Sequence, residues 1–258
     1  MLFQDAVFIG IDPTAGQRPI HYSALDTERR LIAHEQGDME QVLAFIASFK
    51  SAVVAIDAPQ GLNRRWMRKP DVRRTYNLLP GGKTWVQWRV CEYDLRRRNV
   101  RLYNTPDRLA KTKNWVQVGI ALFRRAQDMG YRLFEQSESN TQRMLIEARA
   151  QASYCALLER RPFPKDSLEG RMQRQLLLYV EGLDLPNPMH ALEEITRHHL
   201  LTGHLPLDDL RDPETLDALM AAYTAYLTAM EPDRVSQVGA LEEGLITLPV
   251  PTLKDFYP

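Results

Sequence analysis

The sequence predicts an α/β fold whose sheet begins with elements in the order β-β-β-α-β. Two continuous apolar runs, residues 6–12 and 52–57, each end in an aspartate. The amphipathic segment that precedes the second run has the 3.6-residue spacing of a helix. At 258 residues, the chain can bury a sizeable core without disulfides or a structural metal. We therefore expect one domain over residues 1–258, a mixed sheet with flanking helices.

The first half of the chain supplies the five opening elements. Residues 6–12 have the composition of a buried strand, and PIHYSALD and RLIAHEQ follow as strands joined by the turn-prone DTER. Short links between successive strands favour an antiparallel meander. DMEQVLAFIASFK is predicted to be a helix, with Asp38 as N-cap and Gln41 completing a capping box. SAVVAID is apolar almost throughout, which is typical of a strand with a parallel neighbour.

The remaining chain is predicted to hold a long insertion and several helices. Residues 59–113 are rich in Arg, Pro, Gly and Trp with weak periodicity, which indicates an irregular, basic, Arg-rich insertion. NWVQVGIALFRRAQDMG should form a helix with Asn114 as its N-cap and Gly130 at its close. The last long helix should begin at Asp212 and Pro213. Further helices are expected in SLEGRMQRQLLLYVEG and MHALEEITRHHLLTG, and a strand in RMLIEA.

Composition narrows the class of protein. The formal net charge is zero, but twelve basic and only three acidic residues lie between Arg64 and Arg101. This asymmetry favours nucleic acid as a candidate partner, although two solvated faces of opposite charge would explain it equally well. Two cysteines without zinc spacing disfavour a disulfide scaffold or a zinc site. Without a basic leader or an apolar run of roughly 20 residues, we expect a soluble cytoplasmic protein that does not enter a membrane. The oligomeric state is not indicated.

Asp12 and Asp57 are the first candidate site residues. Each ends an apolar strand, and in a β-β-β-α-β unit the two strands can lie parallel and adjacent. Their carboxylates would then repel each other unless a cation lies between them. Hard ions such as Mg²⁺ or Mn²⁺ prefer such oxygen ligands and support phosphoryl transfer. The alternative is that each aspartate only forms a turn.

Four further side chains complete the predicted site. Asp217 lies at the edge of the apolar stripe of the last helix, where the helix dipole alone could also explain it. Glu147 ends its own strand and is a further candidate ligand or general base; the alternative is a surface residue. Lys165 and Arg171 could balance the charge of a phosphodiester, or belong to a solvated helix face. The tryptophans could stack on bases, but core packing is commoner.

An ordered set of segments resembles a known family. The segments are GID, AIDAPQGL, CEYDLRRR, IEARAQASYCALLERRPFPKDSLEGRMQRQLLL, DALMAAYTA and VGALEEGLITLP. Together they resemble the domain of unknown function 429 family, predicted nucleases with a ribonuclease H-like fold. The resemblance implies that Asp12, Asp57 and Asp217 are the metal ligands. It also matches Lys165 and Arg171 to the family's basic segment, whereas Arg149 and Ala150 replace a proline that often follows the position of Glu147.

Three functions follow as hypotheses. The first is a nuclease dependent on Mg²⁺ or Mn²⁺, with Asp12, Asp57 and Asp217 as ligands. The second is a non-catalytic module that binds nucleic acid or protein on the same fold. The third is an ATP-dependent phosphotransferase of the actin and sugar-kinase type, suggested by Asp12, Thr14 and Gly16. No GxxxxGK[ST] or GxSxG motif supports other nucleotide or hydrolase chemistry.

Overall fold

The chain has a mixed α/β fold, and its first five elements follow the predicted order β-β-β-α-β. The computed structural model describes residues 5–14, 18–78, 84–134, 142–194, 200–203 and 207–258. The strands in this part of the chain are β1 Val7–Asp12, β2 Ile20–Leu25, β3 Leu31–Gly37, β4 Ala52–Ile56, β5 Arg132–Leu133, β6 Arg143–Glu147, β7 Ser236–Ala240 and β8 Gly244–Leu248. The helices are α1 Met39–Ala47, α2 Pro70–Thr75, α3 Val90–Arg97, α4 Asn114–Asp128, α5 Ala150–Leu158, α6 Leu168–Val180, α7 Met189–Glu194, α8 Leu200–Thr202 and α9 Pro213–Met230.

The described strands form one eight-stranded mixed sheet. Its order is β3-β2-β1-β4-β6-β8-β7, with β5 paired to β6. Strands β1, β2 and β3 form the predicted antiparallel meander. Strand β4 lies between β1 and β6 and is parallel to both, which confirms the expectation drawn from its apolar sequence. The C-terminal ends of these three strands therefore meet at one edge of the sheet, where site residues can converge.

Helices cover both faces of the sheet. Successive strand residues point to opposite faces, so Phe8 and Val53 belong to one buried cluster and Ile9 and Val54 to another. The first cluster packs under the closing helix α9 together with α5 and α6. The second packs under α1 and α4. This three-layer arrangement brings α9 and α4 to the same edge from opposite faces of the sheet.

The sequence correctly predicted the start of a helix where a side chain caps it. Asp38 and Gln41 form the predicted capping box of α1, and Asp212 caps α9 with Pro213 at its first position. The prediction for α4 was wrong by one residue: Lys113 is the N-cap and makes no side-chain cap hydrogen bond. Of the helix predicted in MHALEEITRHHLLTG, α7 and α8 are observed, and residues 195–199 lie outside the described part.

The predicted insertion at residues 59–113 contains two short helices. Helices α2 and α3 fall within it, and the helical spacing of apolar residues did not identify either one. Helix α3 buries Glu92 and Asp94 as well as apolar residues, which is why its apolar periodicity is weak. Both cysteines, Cys91 and Cys155, are buried free thiols. Among the described helices, none combines the length and apolar character needed to cross a membrane.

Candidate functional site

The carboxyl ends of β1 and β4 hold Asp12 and Asp57 side by side. The two strands are parallel, with Ile11 opposite Ile56. One residue further on, the Asp57 main-chain N–H donates a 2.8 Å hydrogen bond to the carbonyl oxygen of Ile11. The predicted adjacency of the two strands is therefore confirmed, and both side chains line one cavity.

Helix α9 brings Asp217 to the same place. The helix backbone lies so close to β1 at Gly10 that a Cβ there would stand 1.9 Å from the carbonyl oxygen of Ala218. A residue without a side chain is required at such an approach. Asp217 directly precedes this contact, is 8 % exposed, and lines the cavity with Asp12 and Asp57.

The cavity that these residues line has a volume of about 690 Å³ and is strongly acidic. Five carboxylates face two cations: the acids are Asp12, Asp57, Asp166, Glu214 and Asp217, and the cations are Lys165 and Arg18. The described wall also includes Pro13, Thr14 and Trp115. With every group ionised, the described lining residues alone would carry a net charge of −3.

Burial, together with the excess of negative charge, raises the pKa values of the three aspartates. Burial raises the pKa of Asp12 most, and the charges of Asp217 and Asp57 raise it further. Burial also raises the pKa of Asp57 to about 6, although the nearby Arg149 opposes the shift. The pKa of Asp217 is raised by burial, with Lys165 acting in the opposite direction. Like charges brought together away from water favour protonation in this way.

Lys165 is the cation closest to the acids. Its Nζ donates a 2.9 Å hydrogen bond to a carboxylate oxygen of Asp217. Burial lowers the pKa of Lys165, but the Asp217 carboxylate outweighs that effect, so the net pKa lies above the ordinary lysine value. The lysine precedes α6, whose N-cap Ser167 bonds to the carbonyl oxygen of Pro164. The Lys165 side chain is therefore protonated and held against Asp217, at the edge of the cluster of aspartates.

Glu147 is not brought into the acidic cavity. It is 1 % exposed and accepts hydrogen bonds from both terminal nitrogens of the buried Arg89. The Gln60 main-chain N–H donates to it at 2.9 Å, and Arg149 lies 3.4 Å away. Arg89 and Arg149 thus balance the negative charge of Glu147, and its carboxylate oxygens already accept hydrogen bonds. The structure offers no support for its use as a ligand or base.

Arg171 is also held away from the cavity. Its Nε and a terminal nitrogen donate to the carbonyl oxygens of Arg211 and Leu210 at 3.0 and 2.7 Å. These bonds fix the segment that leads into α9. Arg171 does not appear among the described residues that line the cavity, and its observed contacts are structural rather than directed at a phosphate.

Two further residues reach the site. Arg149 was not predicted from the sequence to act there, and Trp115 was predicted only as one of several tryptophans that stack on bases or pack in the core. Arg149 is 4 % exposed and lies 3.8 Å from Asp57 and 3.4 Å from Glu147, so it links the cavity to the Arg89 network. The sequence signal that could have identified Arg149 was its position directly after β6, whose end lies beside that of β4. Trp115 reaches the cavity because Gly119, one turn later in α4, lets the helix touch Ala58; a Cβ at Gly119 would lie 2.1 Å from the Ala58 Cβ.

The donor set suits a hard divalent cation in its chemistry. Converging carboxylate oxygens with raised pKa values are the ligands that Mg²⁺ and Mn²⁺ prefer, and protons occupy such groups when no cation does. In the observed arrangement, Lys165 already neutralises Asp217. Across the described residues, no group of three or more His, Cys, Asp or Glu side chains is arranged to hold a metal ion.

Gly16, part of the phosphotransferase hypothesis, lies outside the described residues.

Comparison with known families assigns the chain to one of them. The sequence model described as "Protein of unknown function (DUF429)" matches residues 10–240. The chain belongs to the DUF429 family. The matched residues of this DUF429 protein include all four aspartates described in the cavity wall, Asp12, Asp57, Asp166 and Asp217. A search of curated proteins found no match.

Proposed function

We propose that this DUF429 protein hydrolyses phosphodiester bonds of nucleic acid in the presence of Mg²⁺ or Mn²⁺. The observation that carries the proposal is the excess of five carboxylates over two cations in one cavity. A phosphate could not enter so negative a cavity unless protons or cations first reduced its charge. A divalent cation would do so and leave the acids in their ionised form.

The fold supports this proposal through the position of the acids. The observed β-β-β-α-β start, with strands in the order β3-β2-β1-β4, agrees with the β-β-β-α-β start that the resemblance to ribonuclease H-like nucleases implies. Asp12, Asp57 and Asp217 would hold the cation, in competition with the protons and the Lys165 ammonium that now balance them. Once bound, such a cation polarises a phosphoryl oxygen and makes a water more acidic.

The other side chains of the cavity have roles that follow from their charges. Lys165 stays protonated beside Asp217, so its ammonium could balance a non-bridging phosphate oxygen. Arg149 acts through Asp57 as a positioning residue, since it favours the ionised carboxylate. Glu147 and Arg171 have no direct role in this proposal, because both are committed to other partners.

One observation favours the alternative, a non-catalytic module that binds nucleic acid. The ion pair between Lys165 and Asp217 satisfies one of the three proposed ligands without a metal. In that case the raised pKa values would reflect only the cost of packing acids together. Both the nuclease and the non-catalytic module would bind nucleic acid, but only the nuclease would cleave it.

A cleavage assay separates the two. The purified protein is incubated with single-stranded DNA, RNA, duplex DNA and an RNA–DNA hybrid, with Mn²⁺ or with a chelator. We expect cleavage of at least one substrate with Mn²⁺, its loss with chelator, and a fall of about 10³-fold in Asp12→Asn. Asp5→Asn, an exposed aspartate, is the matched control and should cleave normally. Binding without cleavage of any substrate would favour the module.

A further inference from the structure

A second cavity lies in the basic segment, apart from the acidic one. It has a volume of about 340 Å³. Its charged and amide-bearing wall includes Arg65, Arg68, Lys111, Asp107, Asn63 and Asn104. Three cations therefore face a single carboxylate, the reverse of the balance in the acidic cavity.

Two of the three cations have no carboxylate partner. Asp107 is engaged by Arg65 through an ion pair. Within the described part of the chain, neither Arg68 nor Lys111 takes part in an ion pair, and both are exposed. Unpaired cations beside amide groups form a site for an anion with several acceptor oxygens, and a phosphate group has that chemistry.

An aromatic pair connects the two cavities. Trp115 lines the acidic cavity, and the ring of Tyr103 packs edge-on against it with 5.7 Å between the ring centroids. The next residue, Asn104, lines the basic cavity. Lys113 stands over the Tyr103 ring at 5.1 Å. Partly exposed rings between sites of phosphate chemistry are a stacking surface for bases that have no pairing partner.

We propose that the basic cavity binds a backbone phosphate of an unpaired nucleic-acid strand while another phosphate of the same strand occupies the acidic cavity. Tyr103 and Trp115 contact the bases between the two phosphates. A duplex is disfavoured because its bases are stacked on one another and cannot reach the rings. The identity of the strand rests on the proposed function, but the site is built from residues that the cleavage mechanism does not use.

Binding without turnover tests this assignment. The Asp12→Asn protein, in the presence of Ca²⁺ in place of Mg²⁺ or Mn²⁺, is titrated with a fluorescent single strand and with the duplex of the same sequence, over a series of salt concentrations. The test variant adds Arg68→Gln and Lys111→Gln. The matched control adds Arg74→Gln and Arg101→Gln, two exposed arginines of the same segment that line neither cavity. Both variants lose the same charge.

We expect the test variant to bind the single strand about tenfold more weakly than the matched control. Its log–log salt slope should fall by about 0.7, the change for one lost phosphate contact on a single strand. Tyr103→Leu should weaken binding of the single strand and leave binding of the duplex unchanged. Equal binding by the test and control variants would overturn the proposal, as would duplex binding as tight as that of the single strand.

The outcome is distinguishable from that of the cleavage assay. If no substrate is cleaved but Arg68 and Lys111 still account for binding of the single strand, the proposed activity is wrong and this site stands. If cleavage occurs but the two cations contribute nothing to binding, the activity stands and this site is wrong. Failure of the Asp12→Asn protein to bind any oligonucleotide would also overturn it.

Discussion

The main-chain N–H of Asp57 donates a hydrogen bond to the carbonyl oxygen of Ile11, at 2.8 Å. Asp12 follows Ile11, so the sheet ladder itself fixes the two carboxylates at adjacent strand ends. Their proximity is therefore set by the pairing of the two strands. The fold therefore carries an electrostatic cost at this edge, and that cost is measurable.

Replacing Asp12 by asparagine should stabilise the protein at neutral and alkaline pH. The folded-state pKa of Asp12 lies above its unfolded value, so between the two values the folded state binds more protons. Stability therefore falls as pH rises through this range. We expect Asp12→Asn to raise the free energy of unfolding by about 1–2 kcal/mol at about pH 8, measured by denaturant titration. The gain should vanish at about pH 2.5, below the unfolded pKa of about 3.9, where the carboxyl is protonated in both states.

Asp5→Asn is the control for this measurement, since Asp5 is exposed. Its stability should follow that of the wild type at both pH values. A loss of stability in Asp12→Asn at about pH 8 would contradict the raised pKa, because it would mean that the ionised form of Asp12 is favoured by folding.

Added Mn²⁺ should stabilise the wild-type protein more at high pH than at low pH. A cation binds the ionised carboxylates, and protons compete with it below the raised pKa values of Asp12 and Asp57. At saturating Mn²⁺ and about pH 8 we expect the melting temperature to rise by roughly 3–8 °C. The rise should be much smaller at about pH 5.5, below the pKa of about 6 for Asp57.

Thermal melts of wild type and Asp12→Asn, with Mn²⁺ and with chelator, provide the comparison. The variant should show little shift at either pH because it lacks one of the proposed ligands. An equal shift in both proteins would place the ion elsewhere on the chain, and the acidic cavity would lose its proposed cofactor.

The sequence correctly predicted which aspartates come together at the ends of neighbouring strands. Asp12 and Asp57 each follow an apolar run, and the apolar composition of β4 indicated the parallel neighbours that bring them together. Asp217 was identified from its place on an amphipathic helix, and the close approach at Gly10 confirms its proximity to β1. Backbone pairing and burial pattern are properties that a single sequence records.

The partners of individual charged side chains could not be predicted in the same way. Glu147 also ends a strand, yet its partner Arg89 comes from a segment 58 positions away in the chain. Arg171 is a cation near the proposed site, yet its donors bind main-chain carbonyl oxygens. A sequence gives the charge of a residue but not the direction of its side chain, so cavity-lining and buried charges look alike until the fold is known.

Removal of the Arg89 side-chain charge should destabilise the protein strongly. Arg89 is fully buried and pairs with Glu92 and Glu147, which are also buried. Arg89→Gln would leave the buried Glu92 carboxylate without a counter-ion and Glu147 with Arg149 alone, a change that costs about 3–5 kcal/mol. Denaturant titration checks this, with the exposed Arg101→Gln as a control of the same charge change. A loss below about 1 kcal/mol would mean that water or other donors replace the arginine.

The closing helix should be similarly intolerant of a side chain at Gly10. A methyl group there would stand 1.9 Å from the Ala218 carbonyl oxygen and 2.2 Å from the Ala222 nitrogen. Both atoms belong to the backbone of α9, so relief requires the whole helix to move off β1. We expect Gly10→Ala to lower the free energy of unfolding by about 3 kcal/mol or to prevent folding.

Gly61→Ala is the matched control, because no atom lies within 4 Å of its added Cβ. If Gly10→Ala folds with normal stability, α9 does not contact β1 this closely, and Asp217 need not lie beside Asp12. Thermal melts and expression of the two variants side by side decide between these outcomes.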